Sequence, residues 1–78
     1  MSYFSIAAVN RILKNSGAKQ VSKEAKKLFL DVLTEHAEMI AGEAVKLANL
    51  SGRTNIRDTD VRDAVKEIFK YTLEPEER

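Results

Sequence analysis

Apolar side chains recur along this chain with a helical period, and alternation of the strand type is nowhere sustained. Ile6, Val9, Ile12 and Leu13 fall at i, i+3, i+6 and i+7 and form one apolar stripe. They predict a first helix from about Ser5 to Ser16. Gly17 suits the left-handed residue that ends such a helix, and Ala18 to Val21 reads as a short loop. Ser22 is a good N-cap for a second helix, with Glu24 near its positive end. From there to about Leu50 no proline intervenes. One apolar row runs Ala25, Phe29, Val32, His36, Ile40, Ala44, Leu47. A second runs Leu33, Ala37, Ala41, Ala44, Ala48. Together they make a wide apolar face over about 28 residues, roughly 42 Å at ~1.5 Å per residue. Gly52 ends this helix. Asp58 or Thr59 caps a third, in which Val61, Ala64, Val65, Ile68 and Phe69 keep helical spacing. Pro75 stops it, and the end of the chain, LEPEER, reads as an acidic, solvated segment.

The pattern is therefore all-α, in the order short helix, long helix, short helix. A helix of ~42 Å is longer than a compact 78-residue monomer is wide. Two helices of roughly 12 residues cannot cover its broad apolar face. The simplest cover is a second copy, so an intertwined dimer is expected on physical grounds alone.

Composition narrows the remaining possibilities. A chain of 78 residues is one domain, near the size that needs a staple. Cysteine is absent and His36 is the single histidine, so disulfides and a zinc cluster are excluded. Oligomerisation is the remaining staple. No apolar run approaches the ~20 residues of a membrane span. The N-terminus lacks a signal-peptide pattern. The expected setting is cytoplasmic.

The net charge of +1 hides a segregation. Residues 1–27 carry six basic side chains and one acidic, whereas residues 28–50 carry one basic and four acidic. Residues 51–73 carry five basic and four acidic, and residues 74–78 one basic and three acidic. Positive charge thus collects at the front of the chain and in the loop at 51–57. It favours a polyanion only where those two regions meet in space. No catalytic grouping is present: no cysteine, no serine–histidine–aspartate set and no glycine-rich phosphate loop. Asp31, Glu35 and Glu38 read as a solvent face of the long helix, and Lys23, Lys26 and Lys27 as another. Phe29 and Phe69 read as core. His36 falls on the core stripe. If two copies approach there across a dimer axis, charging both would weaken the dimer at low pH.

Three stretches, AVNRILKNSGAKQVSKEAKKLF, EMIAGEAVKLANLSGR and IRDTDVRDAVK, make the chain resemble the archaeal histones over about residues 5–70 without gaps. The resemblance implies a histone fold over residues 1–72, followed by an acidic C-terminal tail at 73–78. It implies a handshake dimer that binds duplex DNA and stacks into larger assemblies, associated with the chromosome or nucleoid. No enzyme activity, cofactor, metal or small-molecule substrate is implied.

Residue by residue, the family's Arg-x-Thr-x-x-x-x-Asp element falls on Arg53 to Asp60. The resemblance makes Arg53 and Asp60 a loop clamp, with Asn55 at the family's threonine position. Thr54 and Arg57 stand where the family has phosphate-reaching lysines. Arg11 matches an arginine that enters the minor groove, and Lys14 matches a further DNA contact. Gln20 replaces an arginine, with Lys19 beside it. Gly17 matches a glycine where stacked dimers approach closely. In the handshake the first loop of one chain lies beside the second loop of its partner. DNA contact is thereby implied for Arg11, Lys14, Lys19, Gln20, Arg53, Thr54, Asn55 and Arg57. Leu50 takes the place of a histidine in the dimer–dimer patch of Leu47, Leu50, Asp60 and Val61. The prolines common before the first helix are missing. Two functional readings stay open. One is a DNA-compacting homodimer with little sequence preference. The other is a histone-fold protein that pairs with a different chain in a transcription-related complex.

Overall fold

A computed structural model describes residues 3–73, with side chains described through Lys70. The acidic segment at 74–78, including Pro75, lies outside the described residues. Leu73, expected from the sequence to begin the tail, is the last residue of a helix. Three α-helices follow one another: α1 (Ile6–Asn15), α2 (Lys23–Leu50) and α3 (Asp58–Leu73). No strand occurs among the described residues. The histone fold's short–long–short order is thus present, with α2 the longest at 28 residues.

Local chemistry sets the helix ends. Ser5 caps α1: its Oγ accepts from the Ala8 N–H at 3.0 Å, and its carbonyl accepts the first helical bond, from Val9. Ser22 does the same for α2, its Oγ accepting from Ala25 at 3.0 Å. Both α1 and α2 end on a glycine with positive φ, Gly17 at 111° and Gly52 at 75°. In each case the N–H two residues past the last turn folds back. Ala18 donates to Leu13 at 3.1 Å, and Arg53 donates to Ala48 at 2.9 Å.

The start of α3 differs by one residue from the cap expected of Asp58 or Thr59. Arg57 is the cap, because its carbonyl accepts the first helical bond, from Val61 at 3.2 Å. No serine or aspartate stands at the cap position itself. Instead the Asp60 carboxylate, three residues on, reaches back and accepts the Arg57 N–H at 2.9 Å. This is one half of a capping box, made with aspartate.

The chain divides into two compact units, Met1–His36 and Ala37–Arg78. In the first, Val9 is fully buried, and it is the largest side chain of which this is true among the described residues. In the second, Ala44, Ala48 and Ala64 are buried. On α2, Phe29, Leu30, Leu33 and His36 are half-buried in the first unit; in the second, Ala37, Ile40 and Leu47 are half-buried and Ala44 and Ala48 are buried. Of the expected rows, Ala25, Val32 and Ala41 are exposed in the single chain, and Leu30, absent from both rows, is half-buried. One chain thus leaves part of the broad apolar face uncovered. Large apolar side chains stay exposed: Leu28 and Val32 in the first unit, Met39, Val45 and Leu50 in the second.

Candidate nucleic-acid interface

Two loops carry most of the residues singled out in the sequence, one in each unit. The first loop, at 16–22, starts at the left-handed Gly17. Upstream of it, Ser16 Oγ donates back to the Ile12 carbonyl at 2.9 Å and finishes the α1 terminus. Lys19 and Gln20 are exposed at its tip. Arg11 is exposed on α1. Lys14 is exposed too, but its ammonium is engaged: Nζ donates to the Lys19 carbonyl at 2.6 Å, across the loop. Lys23 and Lys27 are exposed and Lys26 is half-buried; with Ile6 and Leu30 they line an open cleft in the first unit. The Asn10 Oδ1 is shielded from solvent with no donor among the described residues. A buried acceptor left in this state costs about 1–3 kcal/mol. His36 Nδ1 lies 3.0 Å from the Val32 carbonyl oxygen, to which it can only donate.

The second loop, at 51–57, is held from within. Arg53 and Asp60 form a two-pronged ion pair, Nη1 to Oδ2 at 2.8 Å and Nη2 to Oδ1 at 3.0 Å. Arg53 Nη1 also donates to the Asn55 carbonyl at 3.0 Å. Asp60 is only 5% exposed. Its carboxyl is held at about 2, first by the hydrogen bond from Arg53 and then by the backbone N–H of Arg57. The same hydrogen bond raises the Arg53 guanidinium above its usual range. With the loop path fixed this way, Thr54, Asn55, Ile56 and Arg57 are all exposed. Arg53 itself is turned inward, with its side chain 19% exposed. The loop therefore presents one guanidinium, one hydroxyl and one carboxamide: a cation and two neutral hydrogen-bonding groups, all able to donate to phosphate oxygen.

Of the residues assigned to a dimer–dimer patch, Leu50 is 76% exposed and Val61 is exposed, while Leu47 is half-buried. Both oxygens of Asp60 are engaged internally. What that patch offers outward is apolar. Gly17 has open space around it, and its positive φ is sufficient reason for glycine at this helix end. The backbone return of Asp60 to Arg57 and the lysine bond across the first loop escaped the sequence reading. An aspartate three residues into a helix was the available signal for the former.

Among the described residues, no group of three or more histidine, aspartate or glutamate side chains could hold a metal ion. Among the same residues, no helix is long and apolar enough to cross a membrane. Residues 2–65 match the family described as histone-like transcription factor (CBF/NF-Y) and archaeal histone. The chain is 35% identical over 66 residues to a subunit of the archaeal histone HAN1 of Thermococcus zilligii, covering 85% of this chain and 98% of that protein. It is 38% identical over 66 residues to probable archaeal histone 3 of Methanocaldococcus jannaschii, with the same coverage of 85% and 98%.

Proposed function

The chain belongs to the family of histone-like transcription factors and archaeal histones, and on that premise we propose that it is a chromatin protein that binds duplex DNA. It works as a homodimer, compacts DNA with little sequence preference, and is associated with the nucleoid. It is a histone-fold protein and not an enzyme. The observation that carries the DNA reading is the second loop. Its path is fixed internally by Arg53 and Asp60, and Thr54, Asn55 and Arg57 are left facing solvent. A loop stiffened before it binds loses less entropy on contact.

The dimer has its own support. Among the described residues one large side chain is fully buried, while Leu28, Val32, Met39 and Val45 stay exposed on α2. A helix with that much uncovered apolar surface gains from a partner. In a handshake arrangement the first loop of one chain would lie beside the second loop of the other. Arg11, Lys19 and Gln20 would then join Thr54, Asn55 and Arg57 on one surface. Affinity would come from phosphate neutralisation and Arg11 insertion in the minor groove, neither of which reads base sequence directly.

Titration of duplex DNA at several salt concentrations tests this. The expected result is binding that weakens steeply with salt. Absence of binding at low salt overturns it.

A second reading has two observations behind it. A relative is named as one subunit of an archaeal histone, and the net charge here is only +1. The chain would then pair with a different histone-fold partner. The mass of the purified chain separates the two: a stable homodimer supports the first, an unfolded or aggregating monomer the second.

A further inference from the structure

The stretch Lys19–Val21 has little of its own to hold it. The last backbone bond of the α1 terminus is Ala18 to Leu13, and α2 begins from the Ser22 cap. Among the described residues, no backbone–backbone hydrogen bond outside the helices involves Lys19, Gln20 or Val21. What ties this stretch to the helix is Lys14 Nζ, which donates to the Lys19 carbonyl at 2.6 Å. The bond is short and charge-assisted, roughly twice as strong as a neutral one. Lys14 stands in the last turn of α1, where the helix dipole favours a cation. The second loop uses the same device: Arg53, just past the end of α2, donates to the Asn55 carbonyl.

We propose that Lys14 is a positioning residue: by fixing the Lys19 carbonyl it sets the direction in which Lys19 and Gln20 face DNA, and it acts through that loop rather than as a phosphate contact of its own. This rests on the DNA-binding reading, and it reassigns a residue that the family resemblance makes a direct contact. The ammonium spends one of its three donors on the loop carbonyl, at the helix end where the dipole favours it, so its place is set by the loop. Arg11 and Arg57 are exposed cations whose side chains make no such bond to a loop carbonyl among the described residues.

Two variants test it, Lys14→Met, which keeps the stem and removes the donor, and Lys14→Arg, which restores one. Backbone ¹⁵N relaxation of the DNA-free protein reads the loop directly. Duplex binding over a series of salt concentrations reads the contact. Lys14→Met should raise fast motion at residues 19–21 and weaken DNA binding several-fold with the salt slope unchanged. Lys14→Arg should return both to the original values. A slope reduced by about 0.9 in Lys14→Met would mean a lost phosphate pair and would overturn the proposal. So would unchanged order at residues 19–21. If the parent protein binds no DNA, the DNA-binding reading fails and the DNA-directed role of Lys14 fails with it. The relaxation data still decide whether Lys14 holds the loop.

Discussion

Asp60 accepts from Arg53 through both carboxylate oxygens, at 2.8 and 3.0 Å across seven residues of chain, and takes the Arg57 N–H as well. One side chain thus fixes the loop, starts α3 and neutralises a guanidinium. Because Asp60 is held at about 2, below its ordinary 3.8, the charged form is favoured by folding. Its stabilisation is complete above the unfolded value and disappears as pH falls through the folded one. Asp60→Asn should therefore unfold at a lower temperature than the parent near neutrality. The gap between the two should hold down to about pH 5 and close between there and about pH 2. A gap that stays constant over that window would contradict the assignment.

The glycines should respond with opposite signs. Gly42 lies inside α2, and a Cβ there meets nothing within 4 Å. Gly42→Ala should stabilise by about 0.5–1 kcal/mol, the entropy difference in a helix interior. Gly17 also has open space, but its φ of 111° is strained for any L side chain. Gly17→Ala should destabilise by about 1–2 kcal/mol. Urea unfolding of both variants under the same conditions measures the pair.

Ser22→Ala removes the side-chain acceptor of the Ala25 N–H. The expected loss is about 1 kcal/mol. Ser22→Asp should recover it, since aspartate also caps and adds a favourable charge at the helix start. An alanine variant as stable as the parent would show that packing, not the cap, sets this end of α2.

The DNA-binding reading makes a graded prediction. Arg11→Ala and Arg57→Ala should each reduce the slope of log affinity against log salt by about 0.9. The double variant should lose most of the binding. Thr54→Lys and Gln20→Arg should act in reverse, since each adds a cation at an exposed loop position. Fluorescence anisotropy on one duplex, across several salts, gives every slope, the parent's included.

Assembly beyond a dimer should depend on apolar contact. Leu50 is largely exposed and Val61 lies near the start of α3 in the same unit. Leu50→Glu should change stability by less than about 0.5 kcal/mol, as for an ordinary surface site. It should leave the first DNA-bound species intact and stop the protected length of DNA from growing as protein is added. Growth identical to the parent would remove this patch from the assembly.

Three helices, their order and most of their ends follow from the residues alone. Ser5, Ser22, Gly17 and Gly52 act on backbone groups within a few residues, so their effect is written where they stand. The resemblance to archaeal histones was legible too, because the matching residues run without gaps. Periodicity marked the apolar side of α2 but not which part of it the chain covers by itself: Phe29, Leu33, Ile40, Ala44 and Leu47 are half-buried or buried, and Val32 is exposed. How the first loop is held, and how the start of α3 is capped, rests on the folded backbone. Whether Lys14 reaches the Lys19 carbonyl, or Asp60 the N–H of Arg57, depends on the path of backbone between them. Such a path follows from the packing of the flanking helices, and a residue's type and its place in the chain do not contain it.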